Sequence, residues 1–179
     1  MPPELIEEII LPYLKEGDDI SAQTVRIIGT EKSVEPLMRM AKDPQAPDEM
    51  SQQGIRRIAL TSLGFIGARI PDADGKLTLF LVGMTYDKNP LTRIVAVQAL
   101  GRSAGPAAIP VLLDLAKQEQ DGAALRFEIS GIYKAGGAAA VEALQILQKQ
   151  AQEQNNAWLL ELTEEALFRL EREKRTIVQ

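Results

Sequence analysis

The chain of 179 residues contains no cysteine and no histidine. The first absence excludes disulfide bonds and thiol nucleophiles, and the second excludes Ser-His-Asp triads and imidazole acid–base chemistry. Zinc sites of the common type are excluded with them. The sequence therefore predicts no metal, no other cofactor and no conspicuous catalytic residue. An all-carboxylate site is the enzymatic arrangement that this composition leaves open.

Aromatic residues are also scarce, at 4% of the chain, whereas 45% of residues are apolar. A core rich in Ala, Leu and Ile with few aromatics favours packed helices over a β-sandwich. The formal net charge is −5 and the isoelectric point about 4.9. Because binding to phosphates requires clustered Lys and Arg, we expect no nucleic-acid partner.

Long runs of apolar residues are also missing from the sequence. No stretch approaches the roughly 18 apolar residues that span a bilayer, so we expect no membrane partner. The first eight residues include Glu4, Glu7 and Glu8, and this start lacks the basic region of a signal peptide. These observations predict a cytoplasmic protein.

The chain repeats itself at intervals of about three dozen residues. Residues 55–64 align with residues 92–101 at a shift of 37 positions, and residues 105–112 align with residues 137–144 at a shift of 32. A fixed period of this size is the signature of stacked helical hairpins, since one hairpin cannot bury its own apolar stripe.

Each repeat is predicted to contain two helices. Pro90 and Pro106 stand where helices begin, and Asp48, Asp121 and either Asn155 or Asn156 are candidate N-caps. Gly101, Gly105, Gly136 and Gly137 are expected to separate paired helices. The predicted helices span residues 3–15, 20–28, 31–42, 48–67, 75–86, 90–103, 106–118, 122–135, 138–152 and 156–174.

Residues 92–113 resemble a HEAT-like repeat, and they are most similar to the short bacterial variety named after phycobilisome lyases. The resemblance implies an all-α, right-handed α-solenoid of about five helical hairpins, like other HEAT/armadillo superhelices. We expect one domain over residues 1–179. Residues 1–47 would form an N-terminal cap with a degenerate repeat, residues 48–152 the central repeats, and residues 153–179 a C-terminal capping helix.

The predicted C-terminal helix has two faces. Leu159, Leu162, Ala166 and Leu170 form an apolar stripe at helical spacing, which should face the preceding repeat. Trp158 is expected to pack there too. The opposite face carries Glu161, Glu164, Glu165, Arg169, Arg172 and Lys174.

Three arginines, Arg56, Arg93 and Arg126, stand near the start of the first helix of successive repeats. An arginine there faces the positive end of a helix dipole and needs a partner. The preceding aspartates Asp48, Asp87 and Asp121 would supply one, so we expect a structural ladder of Asp–Arg pairs between repeats. A basic row that binds an acidic partner is the functional alternative.

The segment from Leu77 to Tyr86 is apolar nearly all round. Two interpretations remain open: burial by the flanking repeats, or an exposed patch of Leu79, Gly83 and Tyr86 that binds a partner. HEAT-like solenoids line their concave face with second helices, so the resemblance would place this patch there. The polar rim of this predicted binding row consists of Arg39, Lys42, Asp114 and Lys117.

The aspartates of the Asp72-Ala73-Asp74-Gly75 loop are predicted to cap the next helix rather than hold calcium, since further ligands are missing. The leading functional hypothesis is a non-enzymatic adaptor that binds a protein partner on its concave face. The resemblance also implies an alternative, a bilin-lyase-like enzyme or chaperone acting on tetrapyrroles. Some HEAT-like proteins are DNA glycosylases with a basic face, which the negative net charge disfavours.

Overall fold

The structure is a computed structural model that describes residues 2–15, 18–119 and 121–177. Within these ranges it has ten α-helices and no strand, which confirms the predicted all-α class. Short 3₁₀ turns lie at Glu31–Ser33 and Gly105–Ala108. The helices are Pro3–Lys15 (α1), Asp19–Ile28 (α2), Val34–Lys42 (α3), Glu49–Gly67 (α4), Lys76–Met84 (α5), Pro90–Ala104 (α6), Ile109–Gln118 (α7), Gly122–Ala135 (α8), Gly137–Glu153 (α9) and Ala157–Ile177 (α10).

Short polar side chains set several helix starts. Asp48 Oδ1 accepts a hydrogen bond from Ser51 N at 2.9 Å, and Asn156 Oδ1 accepts one from Leu159 N at 3.0 Å. These bonds satisfy N–H groups that the first turn of a helix leaves unpaired. Pro90 is the first residue of α6 as predicted, whereas Pro106 is the second residue of the 3₁₀ turn Gly105–Ala108 and does not begin α7.

Glycines at the breaks between helices adopt backbone conformations that other residues avoid. Gly105, Gly136 and Gly137 have φ angles of 52°, 67° and 73°, as expected where paired helices separate. The same prediction is wrong for Gly101, which lies inside α6. Sequence alone cannot distinguish a glycine that ends a helix from one that lets another helix come close.

The helices form two rows. The A row consists of α2, α4, α6, α8 and α10, and each of these helices packs against the next member of the row. The B row consists of α1, α3, α5, α7 and α9, which rest mainly on A-row helices: α5 on α6, α7 on α8 and α9 on α10. Contacts run between neighbours, so the helices are stacked as the repeat predicted. The right-handed sense of the stack stays a prediction.

Small residues bring the A-row helices together. An alanine Cβ at position 64 would lie 2.8 Å from Ala99 Cα, and one at position 101 would lie 2.9 Å from the carbonyl carbon of Gly131. Since real Cβ atoms do not approach so closely, these glycines are required for the spacing of α4, α6 and α8. The buried side chains between the rows form one hydrophobic core.

The last helix covers one end of this core. Leu159, Leu162, Ala166 and Leu170 are all buried, which confirms the predicted stripe. Trp158 is half-buried and packs against Gly122 at the start of α8. The charged side chains of the opposite face are exposed as predicted, and Arg169 pairs with Glu165 at 2.6 Å. The side chain of Lys174 lies outside the described residues.

The first helix is attached by a buried carboxylate that sequence reasoning missed. Glu7 is only 1% exposed. Its Oε1 accepts hydrogen bonds from Thr30 N at 2.8 Å and from Ser33 Oγ at 2.6 Å. A buried carboxylate is stable only with such donors, so this network fixes α1 against the turn that precedes α3.

One apolar segment is an exception to the expectation that no stretch of the chain is long and apolar enough to span a bilayer. By length and composition, Pro90–Gln118 reaches the range of a membrane-spanning helix, with a mean hydropathy of 1.2. In the structure this segment is α6, a 3₁₀ turn and α7, and Gly105 bends the chain between them. Its apolar residues include Ala96, Leu100 and Leu112, which are buried against neighbouring helices.

Candidate functional site

Helix α5 presents apolar residues on two sides. Leu77 and Leu81, one helical turn apart, are buried against the core. Leu79 on the helix and Tyr86 just after it are 72% and 67% exposed. Nothing lies within 4 Å of a Cβ built at Gly83, so the surface between them is open. Of the two interpretations of this segment, the structure agrees with an exposed patch.

The start of α5 is held by the loop before it. Asp72 accepts hydrogen bonds from Leu77 N at 3.1 Å and from Thr78 N at 2.7 Å, and Asp74 Oδ1 accepts one from Lys76 N at 3.0 Å. Partial burial opposes the charge of Asp72, but the bonds from Thr78 outweigh it and lower the pKa of this carboxyl group. Both aspartates therefore cap the helix, as predicted.

The predicted polar rim lies on the B row. Arg39 and Lys42 are exposed on α3, and Asp114 and Lys117 are exposed on α7. Arg39 and Lys42 also line a cavity of about 240 Å³ at the end of α3. All seven residues of the predicted binding row are thus available on the surface, and the structure does not test what they bind.

The arginine ladder has different partners from those expected. Arg56 Nε donates a hydrogen bond to Ala41 O at 2.8 Å, and Arg93 donates from one terminal nitrogen to Asp87 O at 2.9 Å. Both acceptors are backbone carbonyls near the end of the preceding B-row helix. Asp48 and Asp87 instead accept from Ser51 N and Asn89 N. The predicted carboxylate partners of Arg56 and Arg93 are therefore wrong.

Arg126, the third predicted member of the ladder, lies in a different setting. It is exposed and borders a cavity of about 360 Å³ together with Tyr133, Glu165 and Arg169. Glu165 and Arg169, which both line this cavity, form an ion pair with each other.

A separate cationic cluster lies on the A row. Arg102 Cζ stacks 3.9 Å from the centroid of the Phe65 ring, and Arg26 Cζ lies 5.4 Å from it. Burial, and then the charge of Arg26, lower the pKa of Arg102. Burial, and then the charge of Arg102, lower the pKa of Lys134. Cation–π stacking accounts for this cluster as a feature of the fold.

A further cavity of about 310 Å³ lies where α5, α6, α7 and α8 meet. Tyr86 belongs both to its wall and to the exposed patch on α5. Its apolar wall includes Ile94, Val97, Leu115 and Phe127. Its charged residues are Arg93, Glu119, Asp121 and Glu128.

Glu128 is the unusual member of this cavity. It is 7% exposed, and its Oε2 atom is buried with no hydrogen-bond partner among the residues that the structure describes. Burial, and then the nearby charge of Glu119, raise the pKa of this carboxyl group to about 7, although the charge of Arg93 opposes the shift. A charged group in such a position is costly unless something pairs with it.

Sequence reasoning missed Glu128, although a signal was present. Leu125, Ile129 and Ile132 form the buried stripe of α8, and Glu128 occupies the same stripe. A carboxylate within an apolar stripe is itself an anomaly that could have been noted. In the described ranges, no group of three or more acidic side chains is placed to hold a metal ion.

Residues 49–132, which run from α4 into α8, match the sequence model of the family described as HEAT repeats. No curated protein and no solved structure gives a significant match to the chain. With the stacked hairpins, the match over residues 49–132 supports a HEAT-like repeat protein. HEAT repeats generally mediate protein–protein interactions. The match is to HEAT repeats in general, so the resemblance to phycobilisome lyases stays a prediction.

Proposed function

We propose that this protein is a non-enzymatic interaction module, an adaptor that binds a protein partner on its B-row face. The observation that carries the proposal is the exposed patch of Leu79, Gly83 and Tyr86 at the centre of the row. Contiguous apolar surface bordered by polar side chains is typical of protein-binding sites.

The fold does not need this patch. Leu77 and Leu81 already attach α5 to the core, so leucine at position 79 and tyrosine at position 86 add little to stability. Tyrosine is enriched among the residues that dominate binding energy at interfaces. The open surface at Gly83 lets a partner approach the helix backbone closely, which supports the same role.

The prediction that this face is concave rests on the resemblance to other HEAT-like solenoids. The proposal concerns the B-row face and the residues exposed there, whichever way the stack bends.

The proposal is tested with the double variant Leu79→Asp/Tyr86→Ala. We expect it to lose its specific partners in affinity capture from native lysate, compared by quantitative mass spectrometry. Its free energy of unfolding should change by less than about 0.5 kcal/mol, since both side chains are exposed.

A matched control is Ile27→Asp/Phe168→Ala, which changes an aliphatic residue that is 72% exposed and an aromatic one that is 59% exposed. These residues lie on α2 and α10, outside the B row. If both double variants capture the same proteins as the wild type, or lose them equally, the B-row patch is not the binding site.

A further inference from the structure

The cavity beside Tyr86 contains a carboxylate oxygen that has no hydrogen-bond partner in the described ranges. Glu128 projects from α8 and lines the cavity at 7% exposure, with Oε2 buried and unbonded. Glutamine or leucine at this position would avoid the desolvation of a charge. A group that is unfavourable for the fold and lies in a cavity is a candidate for ligand binding.

The other charges around the cavity do not neutralise Glu128. The groups that line it with Glu128 are Arg93 of α6, Tyr86 after α5, and Glu119 and Asp121 between α7 and α8. Arg93 directs one terminal nitrogen to the carbonyls of Asp87 and Lys88, at 2.9 and 3.3 Å. Among the described residues that line the cavity, three are acidic and one, Arg93, is basic.

The apolar residues of the cavity wall also restrict the kind of ligand that fits. Val97 and Phe127 offer apolar surface beside the carboxylate, and Tyr86 connects the cavity to the exposed patch on α5. The long side chains of Lys and Arg combine an apolar stem with a charged end, so they match a cavity with apolar walls and an anionic group. The volume of about 310 Å³ is at the lower limit of ligand pockets.

We propose that this cavity receives a basic side chain, arginine or lysine, projecting from the protein partner. Its charged end pairs with Glu128, and its stem packs against Val97 and Phe127. The partner then binds through two adjacent features of this chain, the apolar patch on α5 and the anionic cavity beside it. This inference rests on the proposed function for the source of the side chain.

The test is a titration of the full chain by ¹H–¹⁵N NMR with the tripeptide acetyl-Ala-Arg-Ala-amide. A norleucine tripeptide, which keeps the stem and removes the charge, is the matched ligand. We expect saturable shifts at Tyr86, Val97, Phe127 and Glu128 with the arginine peptide only. Affinity should rise about tenfold or more from pH 5.5 to pH 8, since Glu128, whose pKa is raised to about 7, must be ionised to pair with the guanidinium group.

The variant Glu128→Gln should abolish this binding, and Glu142→Gln, which removes an exposed charge from α9, should leave it unchanged. Equal binding of both peptides, or wild-type affinity in Glu128→Gln, overturns the inference. Butylguanidine, a free small cation, is the third ligand in the titration. If it binds while the arginine peptide does not, the cavity accepts free small cations and the proposed partner side chain is wrong.

This titration uses no partner protein, so it is independent of the capture experiment. Loss of capture in Leu79→Asp/Tyr86→Ala with no peptide binding would retain the patch and remove the cavity. If the peptide binds and the double variant captures the same partners as the wild type, the cavity is retained and the patch is removed as a binding site.

Discussion

The helices of the A row and the helices of the B row pack in different ways. In the A row, α6 approaches α4 and α8 so closely that Gly64 and Gly101 leave no room for a methyl group. In the B row, α5 leaves Gly83 open and keeps Leu79 at the surface. The comparison shows that close contacts between A-row helices hold the stack together, while the B row leaves apolar surface exposed and available for binding.

The largest expected effect comes from filling the A-row contact. Gly101→Ala places a Cβ against the carbonyl group of Gly131, so α6 and α8 must separate. We expect a loss of about 3 kcal/mol or more in the free energy of unfolding, because backbone atoms cannot move aside as a flexible side chain does. Urea denaturation followed by circular dichroism measures this loss.

Gly54→Ala is the control within the A row, since nothing lies within 4 Å of its Cβ in α4. It should stabilise the protein by roughly 0.5–1 kcal/mol through helix propensity. Equal effects of the two substitutions would show that the close approach of α6 and α8 is not required.

The second effect depends on pH. The pKa of Glu128 is raised from 4.5 to about 7 in the folded protein. As the pH rises through this interval the unfolded chain loses its proton first, so the folded state loses stability and the loss is complete above about pH 7. Glu128→Gln removes the penalty and should stabilise the protein at pH 8 by up to about 3 kcal/mol.

At pH 5 the gain from Glu128→Gln should fall below about 1 kcal/mol, because most of the penalty has not yet developed. Denaturation of wild type and variant at both pH values gives the difference. A gain that does not depend on pH would mean that Glu128 keeps an ordinary pKa, and that its burial carries no electrostatic cost.

A smaller effect is expected from the link between the rows. Arg56→Ala removes the hydrogen bond to Ala41 O at the end of α3, which we expect to cost about 1 kcal/mol. Arg126→Ala, at an exposed position on α8, should change stability by less than about 0.5 kcal/mol. Thermal unfolding of both variants compares them, and equal losses would contradict the assignment of Arg56 as a brace.

The smallest effect is expected in the B row. Gly83→Ala meets no neighbouring atom and should stabilise α5 by roughly 0.5 kcal/mol. If the partner approaches the backbone at this position, the same methyl group should weaken its capture. A destabilised variant would show instead that α5 is packed more closely than its open surface indicates.

Much of the fold could be predicted because it depends on local chemistry. Helical spacing of apolar residues located the stripe of α10, and short polar side chains located the caps at Asp48 and Asn156. The exposure of Leu79 and Tyr86 was one interpretation of their segment, drawn from their register in the repeat. Burial by the flanking repeats was the other, and the neighbours of α5 were needed to choose between them.

Most of the errors concern distant partners. Gly101 resembles a helix break in sequence, but it serves a contact with Gly131 thirty positions away. The carboxylate expected beside Arg56 was nearby in sequence, whereas the actual acceptor is the carbonyl group of Ala41 at the end of α3. Arg93 does bond the predicted residue, Asp87, but through its backbone carbonyl rather than its carboxylate. Glu7 and Glu128 gain their character from residues brought to them by folding.

The sequence by itself determined the period, the helix ends and which side of most helices is apolar, because these properties depend on residues within a few turns of one another. Only the tertiary structure decided which apolar residues stay exposed, which glycines touch, and where a carboxylate is buried without a partner. These properties depend on which residues the stacking of α4, α6 and α8 brings within a few ångströms of one another. The period of the repeat does not specify those pairs of residues.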